Sequence, residues 1–382
     1  VSFGENCSKQ RYLPGLALWK RNYYLRISID WIMEHTFLLY GANGFTGELI
    51  ARRAKMLGLK PILAGRSEAK VRPLAEELGL AYRIFSLEQA EKTAAHLDGV
   101  GAVLHAAGPF IHTAKPMMKA CLLRGVHYLD ITGEIPVFEM GAALGERAAK
   151  AGIMLMPGTG FDVVPTDCTA LHLKEQLPDA AHLQLAFATQ GSRFSRGTAM
   201  TMTENLGEGG AMRKKGKIIR QPLGHAAMTV EFSPDFKRFV MAIPWGDVAT
   251  AYYTTGIPNV ETFTAVHPKT YRYVKLQKYF NWLLKMSWVR RLAQSRVQQG
   301  PAGPNAEQRE KGRSYVWGKV WNDAGEVQEA RSIMPEGYSL TAASSLIIMQ
   351  KVLAGQAPAG FQTPAGAYGA DLILEVEGAK RL

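Results

Sequence analysis

The segment Tyr40-Gly41-Ala42-Asn43-Gly44-Phe45-Thr46-Gly47 places three glycines directly after a short apolar run and directly before an amphipathic one. Strand, loop and helix in that order are what a dinucleotide-binding turn needs. Gly41 permits the tight reversal and Gly44 lets the backbone approach a pyrophosphate. Gly47 lets the helix pack closely on the strand while its first N–H groups face the phosphates, with Asn43, Phe45 and Thr46 completing the loop. The spacing is GxxGxxG, one residue longer between the first two glycines than the usual fingerprint. The end of the next strand chooses the cofactor: NAD sites carry an acid there for the ribose 2′-hydroxyl, whereas NADP sites have an arginine near the 2′-phosphate. Leu63-Ala64-Gly65-Arg66-Ser67 has no acid. The planar fork of Arg66 and the hydroxyl of Ser67 suit a phosphate, so the expected cofactor is NADP(H).

Three later segments should meet the same cofactor. In His105-Ala106-Ala107-Gly108-Pro109-Phe110, the small residues Ala107, Gly108 and Pro109 would let it lie across the carboxyl edge of a parallel sheet. Tyr128-Leu129-Asp130-Ile131-Thr132-Gly133-Glu134 and Gly158-Thr159-Gly160-Phe161-Asp162 would project toward the nicotinamide end. Thr132 is a candidate for substrate binding, and Glu134 and Asp162 are candidates for the catalytic proton donor. Helix capping and turn formation are the equal alternative for Asp130, Glu134 and Asp162. No metal is expected, because Cys7, Cys121 and Cys168 are scattered and form no CxxC pair.

The elements that must position these residues follow from periodicity. Short apolar runs at 37–40, 61–64, 82–85, 102–105, 127–129 and 153–156 alternate with amphipathic segments at 48–57, 68–78 and 116–124, the pattern of parallel strands and crossover helices. After a Gly-Pro-rich passage and a helix ending near Leu177, β-branched and aromatic runs at 182–189, 227–232, 249–254, 314–321 and 327–333 predict a mostly antiparallel sheet. Asn322-Asp323-Ala324-Gly325 should turn the last hairpin. The expected fold is α/β: an N-terminal Rossmann-type doubly wound parallel sheet at 33–157, then a second α+β domain of mostly antiparallel sheet at 158–355 that takes the substrate. Met33 reads as the natural start and residues 1–32 as an upstream extension outside the core. From Tyr271 to Gln298 the chain reads as one long basic amphipathic helix. It either packs its aromatics on the sheet, or touches a lipid surface or covers a long apolar substrate.

With 382 residues and 47% hydrophobic content, two cores without staples are expected. No stretch reaches the roughly 18–20 apolar residues of a membrane span, and residues 1–32 lack a secretory apolar region. A cytoplasmic protein, in peripheral contact with membrane at most, is the expectation. The formal charge of +12 is spread out apart from a cluster at 275–296. An acidic cofactor, an acidic substrate or an anionic surface accounts for it with less than nucleic acid would, and no nucleic-acid partner is expected.

Taken in order, GANGFTG, AGRSEAK, HAAGPF, YLDITGE and GTGFDVVPTD resemble the saccharopine dehydrogenase-like oxidoreductases, which include bacterial trans-acting enoyl reductases. Ser195-Arg196-Gly197-Thr198, Pro244-Trp245-Gly246-Asp247 and Phe361-Gln362-Thr363-Pro364 extend the resemblance. It implies an NADP-binding first domain, an inserted second domain, and a C-terminal segment, 356–382, that returns to the first. It also implies hydride transfer to a C=C (enoyl) or C=N bond of a lipid, polyketide or amino-acid-derived substrate. A saccharopine-type substrate carries several carboxylates and needs arginines, for which Arg193, Arg196 and Arg213 are available, Arg196 being the substrate-binding candidate. Ala114-Lys115 stands where many relatives have Gly-Glu. The alternative function is a non-catalytic dinucleotide-binding protein on lipid surfaces.

Overall fold

The computed structural model describes residues 36–382 apart from Asn205 and Lys278; the readings of residues 1–32 and of Met33 as a start lie outside them. Six parallel strands dominate the first half of the described residues: β1 (Phe37–Tyr40), β2 (Ile62–Gly65), β3 (Tyr82–Ile84), β4 (Ala102–His105), β5 (His127–Asp130) and β6 (Met154–Met156). Their spatial order is β6-β5-β4-β1-β2-β3. Helices α1 (Phe45–Met56), α2 (Glu68–Leu78), α3 (Ala90–Ala95), α4 (Phe110–Arg124), α5 (Ile135–Ala143) and α6 (Gly145–Lys150) connect them. Along β1 the side chains alternate between two cores: Leu38 and Tyr40 pack with Val103 and Tyr128, while Phe37 and Leu39 pack with Leu63 and Leu104. A strand buried on both faces reads as an unbroken apolar run, which is why this half was legible.

Helix α7 (Val164–Gln176) leads into β7 (His182–Gln190), α8 (Arg196–Glu204), β8 (Gly210–Lys214), β9 (Lys217–Gln221), β10 (Ala227–Ser233), β11 (Phe236–Ile243), α9 (Asp247–Thr255) and β12 (Asn259–Ala265). Then come α10 (Pro268–Gln277), α11 (Asn281–Leu284), α12 (Ser287–Gln299), α13 (Ala306–Lys311), β13 (Arg313–Trp321) and β14 (Val327–Pro335). The chain closes with α14 (Gly337–Leu353), β15 (Gly360–Phe361), α15 (Pro364–Tyr368) and β16 (Lys380–Arg381). The second sheet runs β10-β11-β12-β7-β13-β14-β16, with β8 and β9 joined at β12. All its pairs are antiparallel except β7 with β12. The Asn322 turn forms as read, with Gly325 at φ 87° donating its N–H to the Asn322 carbonyl. β15 pairs with β6 in the first sheet, and α14 packs on α1 and β4 although it lies within 158–355.

Three elements differ from their sequence reading. Residues 249–254 form helix α9 and not a strand, because Ala249 and Ala251 are fully buried, Thr254 hydrogen-bonds Asp167 of α7, and Gly256 at φ 72° closes the helix. Helix α4 begins at Phe110 and carries Pro116 inside it, since its first turn is satisfied from elsewhere, as described below. The single helix read at 271–298 is three, α10, α11 and α12. They bend around the loop at 206–208: α11 lies over Gly207, while Arg290 of α12 donates to the Leu206 carbonyl and pairs with Glu208.

Candidate functional site

The glycine turn sits where the strand order reverses, between β1 and β4. Gly41 has φ 83°, and a Cβ there would lie 2.8 Å from Ala106 and Ala107 at the end of β4. A Cβ on Gly47 would come within 2.2 Å of the Gly41 carbonyl oxygen, so α1 could not start so close to the strand with any other residue. Gly44 is the N-cap of α1 and has no capping side chain, leaving the first-turn N–H groups to an outside acceptor. A Cβ on Gly44 would meet only the Gly41 oxygen, at 3.3 Å. An open glycine over uncapped helix N–H groups fits a pyrophosphate.

At the end of β2, Arg66 is exposed and makes no hydrogen bond or ion pair among the described residues, and the Ser67 hydroxyl leaves the N-cap of α2 uncapped. The Asn43 side chain lies over Gly65, where a Cβ would sit 2.9 Å from its Oδ1, so the glycine turn and the 2′-phosphate end share one surface. These groups match the NADP(H) expectation. Phe45 departs from it in one respect. Its ring turns toward the second domain, edge-on to Tyr338 at 5.2 Å and under Gly303, which leaves only its backbone N–H for a cofactor.

Glu134 is a cap. Its two carboxylate oxygens accept the N–H groups of Phe110 and Ile111, each at 2.8 Å, and so anchor the start of α4 beside Gly108 and Pro109. Burial raises its pKa, and the two N–H bonds oppose the rise. A carboxylate held by two donors is a positioning group and a poor proton donor. Thr132 is fully buried and its hydroxyl accepts the Glu134 N–H at 3.1 Å, so it shapes this turn and has no surface for a substrate. Asp130 binds the Tyr128 hydroxyl and the N–H groups of Thr132 and Gly158, tying the ends of β5 and β6 together.

Asp162 is the acid left available. It is half-buried against Gly133, whose missing side chain leaves room for its carboxyl group. Burial pushes its pKa up to about 7, and the charge of Glu134 adds to the rise. Aromatic rings flank its backbone: the Trp245 indole donates to the Asp162 backbone carbonyl at 2.9 Å, and Phe187 contacts both Phe161 and Trp245. Phe161 and Trp245 keep part of their surface exposed. On the second-domain side, the Tyr338 hydroxyl accepts the Ser195 N–H and bonds the Thr198 hydroxyl. Its pKa is raised by burial, with Asp162 among the smaller causes.

Of the three arginines offered for a carboxylate-rich substrate, Arg213 alone has its whole guanidinium spent, while Arg193 and Arg196 are exposed and each donates one N–H to a backbone carbonyl. Arg213 is buried, donating to the carbonyls of Val248 and Gly216 and to Glu139. Arg193 donates to the Gly303 carbonyl and Arg196 to that of Gly300. Thus Arg196 braces the chain after α12. Sequence reasoning gave no role to Trp245, Ser195 and Thr198, although their segments stood out, and missed Tyr338, for which no motif speaks.

Residues 37–156 match the family described as the saccharopine dehydrogenase NADP binding domain. The first domain is thus similar to an NADP-binding domain, in keeping with the glycine turn and the placement of Arg66. Among relatives, a saccharopine dehydrogenase-like oxidoreductase of Mus musculus is 27% identical over 202 residues, 46% of this chain and 47% of its own. A trans-acting enoyl reductase of Mycobacterium ulcerans is 26% identical over 203 residues, covering 50% and 49%. A lipid droplet localized protein of Caenorhabditis elegans is 27% identical over 207 residues, covering 49% and 48%. The chain thus spans about half the length of the curated relatives it matches. The solved saccharopine dehydrogenase (L-Glu forming) of Saccharomyces cerevisiae shares the fold, with a TM-score of 0.61 at 14% identity over 91% of this chain and all of that one. No described helix is long and apolar enough to cross a membrane.

Proposed function

We propose that this chain is an NADPH-dependent reductase acting on the C=C bond of an apolar acyl substrate. The observation that carries the proposal is the run of rings at Asp162: the Trp245 indole holds its backbone carbonyl, and Phe187 joins Trp245 to Phe161. A substrate with several carboxylates would have Arg193 and Arg196 to pair with but not the buried Arg213, whereas an acyl chain would need only an apolar wall such as Phe161, Phe187 and Trp245 form. Names of relatives in both the saccharopine and the enoyl reductase groups make either chemistry reasonable, and the rings at Asp162 favour the second.

Reduction of an enoyl group needs a hydride and a proton. The bound nicotinamide supplies the hydride. Asp162, held protonated to about pH 7 by burial, carries a proton beside the apolar wall. Glu134 fixes the turn at Gly108 and Pro109 through α4, and Tyr338 with Thr198 and Ser195 closes the opposite side over Phe45. The test is NADPH consumption with a panel of enoyl thioesters of increasing chain length beside an imine formed from two amino-acid-derived partners. Turnover of the enoyl thioesters alone supports the reading. Turnover of the imine alone contradicts it, and tight NADPH binding with no turnover of either points to the non-catalytic alternative.

A further inference from the structure

Helices α10, α11 and α12 contain no buried residue. A surface helix ordinarily buries one apolar stripe, yet here Tyr273, Tyr279, Phe280, Trp282 and Trp288 are each between 53% and 74% exposed. Leu276 and Leu292 add further exposed apolar surface. Tyr271 of α10 does pack edge-on against Phe239 of β11, as one of the two sequence readings had it, but these five aromatics keep most of their surface exposed. Between Pro268 and Gly300 the sequence has eight Lys or Arg and no Asp or Glu. Glu208 holds two of the basic residues, Lys285 and Arg290. Lys269, Arg272, Arg291 and Arg296 are exposed.

We infer that α10 to α12 form a docking surface for an anionic phospholipid membrane. Short helices with exposed Trp, Tyr and Phe among basic residues are suited to lie in the interface, rings among the acyl boundary and cations at the headgroups. The charge selects this occupant. Helices with basic residues and no acid of their own, only two of the cations being matched by Glu208, leave a net positive surface that repels a second copy of itself, whereas an anionic headgroup layer complements it. The break into three helices serves the same end, because a lobe bent around the loop at 206–208 keeps its outer side chains off the protein.

The lobe adjoins the rim of the cofactor site. Helix α12 packs on α8, the Arg196 guanidinium joins α8 to Gly300 at 2.8 Å, and Glu204 of α8 meets His112 of α4 at 3.2 Å. A membrane bound here would offer acyl chains beside Asp162 and its rings. This part rests on the reductase reading; the docking does not.

Flotation of the full chain with vesicles of phosphatidylcholine, alone or mixed with phosphatidylserine, tests the docking. The protein should float with the mixed vesicles and bind phosphatidylcholine at least tenfold more weakly. Each basic residue near such a surface is worth roughly fivefold in affinity, so Arg272→Glu/Arg291→Glu should lose at least tenfold, as should Trp282→Gln/Trp288→Gln. NADPH affinity should stay unchanged in both, which shows that they fold. Wild-type protein that ignores mixed vesicles, or variants that bind them equally, would overturn the inference. So would lipid-free self-association that the tryptophan variant abolishes, because the face would then be a contact between copies. Reduction of a long enoyl thioester embedded in vesicles should fall in both variants while that of a short soluble one holds. Vesicle binding without turnover of either substrate removes the reaction and leaves the docking standing.

Discussion

Arg66 and Asp162 are where single substitutions speak most clearly. Arg66 stands at the end of β2, exposed and without a hydrogen-bonding partner, on the surface shared with Asn43 and the glycine turn. Arg66→Ala should weaken NADPH binding by about ten- to a hundredfold, the worth of a charge-assisted hydrogen bond, and leave NADH binding almost untouched. Titration of both cofactors checks this, and equal losses would make Arg66 structural. For Asp162 the sign follows from its raised pKa of about 7: the acid is protonated below that pH and loses its proton above it. Reductase kcat should hold at low pH and fall as pH rises through about 7. Asp162→Asn should lower kcat by on the order of 10²–10⁴ and flatten that profile, with NADPH affinity kept; an Asn variant with the wild-type profile would move the proton donor elsewhere. The contrast with Glu134, Thr132 and Arg213 shows what residue type alone can tell. All three are polar residues that sequence placed near the chemistry, and each spends its polar groups on the protein's own backbone or on a neighbouring carboxylate. Sequence gives the kind of side chain, and the direction in which it points is a property of the fold.

Elements were legible where one physical signal dominated. The parallel strands are buried on both faces and cannot hide, and the three glycines are each required by a close approach or an open anion site. A pair of variants separates those two demands. Gly47→Ala drives a Cβ against the backbone oxygen of Gly41 and should destabilise the fold by roughly 1–3 kcal/mol, the usual cost of overpacking. Gly44→Ala meets only one oxygen, at 3.3 Å, and should keep a near-normal melting temperature while losing NADPH affinity, because the methyl group occupies the phosphate's place. Thermal melts with and without NADPH check both, and a Gly44→Ala variant with full affinity would remove the pyrophosphate from this turn. Legibility failed where tertiary contacts overrode local preference. Residues 249–254 carry Tyr and Thr suited to a strand, but their alanines are buried and α7 offers Asp167 to Thr254, so a helix wins. The helical period at 271–298 was real; the bend around Glu208 that divides it depends on residues more than 60 positions away, beyond the reach of any window.

At the scale of the molecule, two sheets divide the work. The parallel sheet presents the glycine turn at the switch between β1 and β4, while β7, α8 and the start of α14 supply Phe187, Thr198 and Tyr338 from the other domain. The chain's return through α14 and β15 packs those later elements onto the first domain, so that the acid, the rings and the dinucleotide turn belong to one body. The central claim is that this body moves a hydride from NADPH to an apolar C=C bond. Incubation with NADPH carrying deuterium at the transferable position, together with a medium-chain enoyl thioester, tests it most directly when the thioester is analysed by mass spectrometry. The account predicts a saturated product one deuterium heavier than that formed with ordinary NADPH. Unchanged enoyl thioester, beside a reduced and deuterated imine of the amino-acid-derived type, would contradict it.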